Sequence, residues 1–109
     1  MLEKELNELK ALIEKEDWEI YDDTENSLTI GKFSPQGQDF QITVDLGESI
    51  YEFKENLYSL YSNFDVSEET YIWLDDSGHG KNGAPYDMKD VYEDFEACEE
   101  NIYNLYLAL

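Results

Sequence analysis

The apolar positions of the chain change period several times, and each change marks an element. Leu2, Leu6, Leu9 and Ile13 recur at steps of four, three and four, which places them on one face of a helix over residues 2–16. Leu12 widens that face, and Glu and Lys fill the rest. The period then drops to two. Trp18-Glu19-Ile20-Tyr21-Asp22 alternates, Leu28 and Ile30 share one side of a segment from Ser27 to Phe33, and Phe40, Ile42, Val44 and Leu46 alternate with Gln41, Thr43 and Asp45. Asp23-Thr24-Glu25-Asn26 and Ser34-Pro35-Gln36-Gly37 are turn sequences between these runs. Links this short predict a three-stranded antiparallel meander with one face buried and one wet.

After Gly47 the helical period returns. Ser49-Ile50-Tyr51-Glu52 has capping-box spacing, and Ile50, Phe53, Leu57, Leu60, Tyr61 and Phe64 form the inner stripe of a helix to about residue 62. Residues 65–76 carry two signals. Asp65-Val66-Ser67-Glu68 starts like a helix, whereas Thr70-Tyr71-Ile72-Trp73-Leu74 is β-branched and aromatic and suits a fourth strand. A short helix is the favoured of the two. A loop follows from Asp75 to Tyr86, with Gly78, Gly80, Gly83 and Pro85. The last helix is predicted from Met88 to Leu107 with Asp87 as N-cap. Its apolar residues Val91, Phe95, Cys98, Ile102, Leu105 and Leu109 form a 3.5-residue seam that either packs on the sheet and the other helices, the favoured reading, or pairs with a second copy. The predicted fold is α+β in a single domain over residues 1–109: an N-terminal helix, a three-stranded antiparallel meander, then two or three helices packed on one sheet face.

Composition sets the class. The chain has 109 residues, 27 Asp plus Glu, 7 basic residues that are all Lys, and a formal net charge of -20. Such a charge on an apolar-poor chain would imply disorder. Here 41% of residues are hydrophobic and 15% aromatic, enough for one modest core, so a folded domain is expected. With no Arg and no basic patch, direct nucleic-acid binding is excluded, as is docking on anionic membrane. The charged, amphipathic start does not read as a signal peptide, and no run reaches the roughly 20 apolar residues of a membrane span, so a soluble cytoplasmic protein is expected. A single cysteine, Cys98, allows no internal disulfide. An acidic surface also suits a salt-loving source.

The candidate catalytic residues fail one by one. His79 is the only histidine and Cys98 the only cysteine, so zinc lacks a ligand set. Cys98 falls in the apolar seam, where a thiol behaves as a small hydrophobe. Gly78-His79-Gly80-Lys81 lacks the first spaced glycine and the Ser or Thr of a phosphate loop. A calcium loop starting at Asp75 would put Tyr86 where a bidentate Glu belongs. Acid-pair hydrolysis needs a cleft that so small a domain has little room for. A non-enzymatic protein with no cofactor, no metal and no catalytic residues is the expectation.

The acidic pattern is the strongest feature. Residues 65–109 hold 12 acids against Lys81 and Lys89. On the last helix Glu93, Glu96 and Glu100 point away from the seam, and Asp90, Asp94 and Glu99 line its flanks. Neighbours three or four apart on a helix lie about 5–6 Å from one another, a pitch close to that of phosphates along a DNA strand. Tyr92 and Tyr103 lie beside Glu96 and Glu99, and tyrosine is favoured at interfaces. With Asp75 and Asp76, these ten residues form the candidate partner-binding set. The expected partner is a protein with a basic nucleic-acid-binding groove. The alternative is a general acidic interaction module, or a self-associating adaptor working through Val91, Phe95 and Ile102. The bland reading is a solvated face that keeps the protein soluble.

The stretch from Phe64 onward, with Phe64-Asp65-Val66-Ser67-Glu68-Glu69, Trp73, Gly80, Gly83-Ala84-Pro85, Asp94-Phe95-Glu96-Ala97 and a Leu/Tyr-rich helix, resembles the C-terminal part of small acidic proteins carried by phages and mobile elements of low-GC Gram-positive bacteria. Size, acidity and the Lys-only basic set are similar to those of anti-CRISPR and anti-restriction DNA mimics. The resemblance implies a protein that occupies the DNA or PAM-binding groove of a CRISPR effector nuclease, or of a restriction enzyme, in the cytoplasm of the bacterial host. It transfers no residue roles, because such mimics share charge geometry rather than sequence.

Overall fold

Helix α1 (Glu3–Lys15) forms where the first apolar stripe lies, with Glu3 and Glu5 in its first turn and Lys15 in its last, the arrangement its dipole favours. Leu9 and Ile13 are fully buried. Leu2, counted on the inner face from its spacing, is the N-cap residue instead and is 77% exposed. In this computed structural model, which describes all residues Met1–Leu109, four helices and three strands follow the order α1, β1 (Glu19–Asp23), β2 (Ser27–Phe33), β3 (Asp39–Asp45), α2 (Ile50–Asn63), α3 (Val66–Ile72) and α4 (Met88–Ala108).

The strands form one antiparallel sheet in the order β1-β2-β3. Leu28, Ile30 and Val44 are fully buried on its inner face, while Thr29 and Thr43 face each other outside with their hydroxyls 2.9 Å apart. The β1–β2 register shifts between Ile20 and Asp22, leaving Tyr21 as a bulge. Its ring lies across Gly31 and its hydroxyl donates to Asp39 Oδ1 at 3.3 Å.

Helix α2 starts as its sequence dictates, with Ser49 Oγ accepting from the Glu52 N–H at 3.1 Å. The reciprocal half of the box is shifted by one residue: Glu52 Oε2 accepts from the Glu48 N–H at 2.6 Å. Glu5 of α1 accepts from the Ile50 N–H at 2.8 Å, another of the free donors at this end, so α1 helps cap α2. Phe53 and Leu57 are buried, and Leu60, expected in the inner stripe, is exposed. The ambiguous segment is helical. Asp65 Oδ1 caps the Glu68 N–H at 3.1 Å, and Thr70, buried, turns its hydroxyl onto the Val66 carbonyl at 2.7 Å. Local β-propensity is thus overridden by a cap and by packing against α4. Asp87 stands at the N-cap position of α4, but its side chain makes no capping bond.

Two cores result. The larger joins α1, the sheet and α2 to Ile102 and Leu105 of α4, and the smaller joins Val66 to Val91, Phe95 and Cys98. The α4 seam is therefore divided, its C-terminal half closing the main core and its N-terminal half packing on α3. Its residues are consumed within the chain, so Val91, Phe95 and Ile102 are not available to a second copy. The Cα trace measures 49 × 22 × 22 Å, a rod with α4 as its spine. No helix is long and apolar enough to cross a membrane.

Candidate acidic interaction surface

The outward face of α4 carries Glu93, Glu96 and Glu100, all exposed, with Asp90 and Glu99 half-buried beside them. They recur at three and four residues, so from Asp90 to Glu100 the row extends about 15 Å along the axis. One cation touches it: Lys89 Nζ lies 3.6 Å from Glu93 Oε1. The only other ion pair in the chain joins Lys10 to Asp23. Most of the 27 acids therefore have no cationic partner. Carboxylates also stand on α1 (Glu3, Glu8, Glu14) and on the sheet (Glu19, Asp22), so the charge extends beyond α4.

Asp94 does not belong to this surface. Expected on a flank of the acidic face, it is 3% exposed and turned toward the β2–β3 hairpin. There it accepts from the Gln36 N–H at 3.0 Å and from Gln38 Nε2 at 2.6 Å, two donors of the hairpin turn that give the buried carboxylate its hydrogen bonds. Asp75 is exposed but is also engaged. Its Oδ1 accepts from the Ser77 and His79 N–H groups at 2.8 and 3.0 Å, and those bonds, the His79 one foremost, hold its pKa below the usual carboxylate value. Asp76 is exposed and makes no side-chain bond.

The loop around these two aspartates is built rather than loose. The Asp75 N–H donates to the His79 carbonyl at 2.7 Å, the Gly80 N–H to the Tyr86 carbonyl at 3.0 Å, and the Lys81 N–H to the Trp73 carbonyl at 3.0 Å. His79, expected as a solvated loop residue, is half-buried and stacks on Tyr86 at 3.9 Å. Gly80 is required there, since a Cβ would sit 1.8 Å from the Pro85 carbonyl oxygen.

Tyr92 and Tyr103 do lie on the side of α4 that carries Glu96 and Glu99, but their settings differ. Tyr92 shares a shallow groove with Asp65, Ser67, Glu96 and Glu99. Tyr103 belongs to a ring of four tyrosines that fastens α4 to α2: Tyr61–Tyr103 at 5.0 Å, Tyr58–Tyr106 at 5.1 Å, Tyr58–Tyr61 at 5.8 Å and Tyr103–Tyr106 at 6.0 Å between centroids. Lys54 Nζ stands 4.7 Å from the Tyr106 centroid. Tyr58, Tyr106 and Asp65 were not legible as site residues, because only the pairing of α2 and α3 with α4 brings them alongside.

On another side, a cleft of about 530 Å³ is lined by Phe40, Glu69, Trp73, Phe95 and Cys98 among others. Burial, then the Asp94 and Glu69 charges, push the Cys98 thiol up to about 12, which keeps it protonated and unreactive at neutral pH. No group of three or more His, Cys, Asp or Glu side chains converges to hold a metal ion. The chain matches no protein-family model, no curated protein and no solved structure.

Proposed function

We propose that the chain is a stoichiometric inhibitor that occupies the basic nucleic-acid groove of another protein, in the manner of an anti-CRISPR DNA mimic, and blocks its binding to DNA. A CRISPR effector nuclease is the first expected target and a restriction enzyme the second, and the place of action is the cytoplasm of the bacterial host. The observation that carries this reading is the density of uncompensated carboxylates on an elongated body about as wide as duplex DNA. Duplex DNA bears one charge per about 1.7 Å, so 49 Å of it bears about 29. The chain concentrates a net charge of -20 on the same length with only two ion pairs. A cationic groove gains electrostatic attraction and steering from such a surface, and the association weakens with salt.

The test mixes the protein with purified CRISPR nucleases and labelled target DNA at two ionic strengths. DNA displacement that weakens at the higher salt supports the reading. Glu93→Lys combined with Glu96→Lys should weaken displacement while leaving circular dichroism unchanged. Undisturbed DNA binding across a panel of such nucleases and restriction enzymes sinks the proposal.

A further inference from the structure

The side of α4 facing α3 holds three concavities that run into one another. The first, about 600 Å³, is lined by Tyr71, Leu74, Asp75, Asp76 and Met88 among others. The second, about 420 Å³, shares Tyr71, Leu74 and Met88 and adds Ser67 and Tyr92. The third, about 490 Å³, shares Ser67 and Tyr92 and ends on Asp65, Glu96 and Glu99. Together they make one groove, apolar in the middle and acidic at both ends. Its middle is bare apolar surface: Tyr71 is 79% exposed, Met88 56% and Ile72 at its edge 54%.

Charge decides what fits there. The ends carry Asp75 and Asp76 on one side and Asp65, Glu96 and Glu99 on the other. Of the groove's two lysines, Lys81 stands among the first group and Lys89 is paired with Glu93. A second copy would bring the same carboxylates against these and be repelled. From Met88 to Glu99 the α4 axis rises about 16 Å, some three helical turns.

We propose that this groove docks a segment of a partner protein in which an apolar centre is flanked on both sides by Lys or Arg, the apolar side chains seating on Tyr71, Met88 and Tyr92 and the cations meeting the acidic ends. The inference rests on the proposed capture of a cationic protein, and it makes the contact more than electrostatic. Pure charge pairing at an exposed surface is weak and salt-screened. At typical interfaces a few well-packed, desolvated residues, tyrosine prominent among them, carry most of the affinity.

The probe is a fluorescein-labelled 16-residue peptide with two Arg at each end and three Leu at helical spacing in its centre, measured by fluorescence anisotropy against the full chain. Two controls replace the Leu by Ser, or the Arg by Gln. The parent peptide should bind, and each control should bind about tenfold more weakly. Tyr71→Ser with Met88→Ser should lose about tenfold toward the parent and nothing toward the Leu-free control, with circular dichroism unchanged, since both side chains are solvent-exposed. Equal binding of the parent and Leu-free peptides overturns the proposal, as does a Tyr71→Ser/Met88→Ser chain that binds the parent undiminished. The two readings fail separately. A chain that discriminates the peptides as described but displaces DNA from no nuclease sinks the inhibitor reading alone. Salt-sensitive displacement of DNA without peptide discrimination sinks the groove alone.

Discussion

Asp94 and Gln38 lie 56 residues apart in the sequence and 2.6 Å apart in space, the carboxylate of α4 accepting from the side-chain amide of the β2–β3 hairpin. With the Gln36 N–H on its other oxygen, Asp94 anchors the hairpin turn to the helical spine. Removing the carboxylate loses two hydrogen bonds to a charged acceptor, each worth about 1.5–3 kcal/mol, less what the partly exposed donors regain from water. Asp94→Ala should therefore lower stability by about 2 kcal/mol or more, a fall in Tm on the order of 10 °C. Asp94→Asn, which keeps one acceptor, should fall between. Urea denaturation measures both, and an unchanged midpoint for Asp94→Ala would show that the hairpin holds without its anchor.

Tyr21 and Gly31 make a second dependent pair. A Cβ on Gly31 would lie 2.3 Å from Tyr21 Cε2, so Gly31→Ala must push the ring off the sheet. In the wild-type background the substitution should destabilise. In a Tyr21→Ala background only the Gln41 Cγ contact at 3.0 Å remains, which that exposed, flexible side chain relieves by a small shift. Replacing a strand glycine by alanine, worth roughly 0.5–1 kcal/mol in backbone entropy, should then cost far less than in the wild type and approach neutrality. A double-mutant cycle reads the coupling, and additive effects would rule out the ring as the cause.

Much of this architecture is legible one element at a time. The α4 seam, the β3 alternation and the caps at Ser49 and Asp65 follow from local spacing, and each stands close to where that spacing places it. What escapes is what two distant segments make together. On a helical wheel Asp94 is one more flanking acid, and only the hairpin's donors explain its burial. Thr70 to Leu74 has strand composition, but a cap at Asp65 and a buried apolar partner on α4 make it helical. The groove joins Tyr71 to Met88 and Tyr92 across a loop whose closure depends on Gly80 packing against Pro85, a contact no periodicity encodes.

Cys98 offers a probe of local opening. It is buried in the smaller core, with its thiol pushed up to about 12, and the thiolate is the reactive form. Iodoacetamide at pH 8 should leave the folded protein unmodified and label it only as fast as the α3–α4 packing opens. Rapid labelling without denaturant would mean that this core is not closed in solution.

Glu69 is half-buried beside the same cleft. Burial, and next the charges of Glu68 and Asp65, raise its pKa above the ordinary value of 4.5. The folded state thus holds that proton more tightly than the unfolded chain. The resulting stabilisation is present in full below the unfolded pKa and disappears as pH rises through the folded one. At neutral pH the ionised group is a burden, so Glu69→Gln should stabilise the protein at pH 7 and confer little at pH 4. A stability difference of the same size at both pH values would contradict the assignment.

Salt tests the charge surface as a whole, independently of any partner. With a net charge of -20 and two ion pairs, repulsion between carboxylates opposes folding. At about 0.01 M salt the screening length of roughly 30 Å exceeds the 22 Å width of the rod, so acids on opposite sides still repel. At about 0.1 M it falls to roughly 10 Å, which removes the cross-molecule repulsion but leaves neighbours such as Glu93, Glu96 and Glu100, about 5–6 Å apart, interacting. Only near 1 M, at about 3 Å, does the α4 row itself become screened. Tm should therefore climb with sodium chloride from 0.01 to 0.1 M and continue to climb toward 1 M. Neutralising the row by Glu93→Gln, Glu96→Gln and Glu100→Gln should flatten the upper part of that curve more than the lower. A Tm that is flat or falling over the whole range would mean that the carboxylates do not strain the fold, and the imbalance of charge would then need no partner to relieve it.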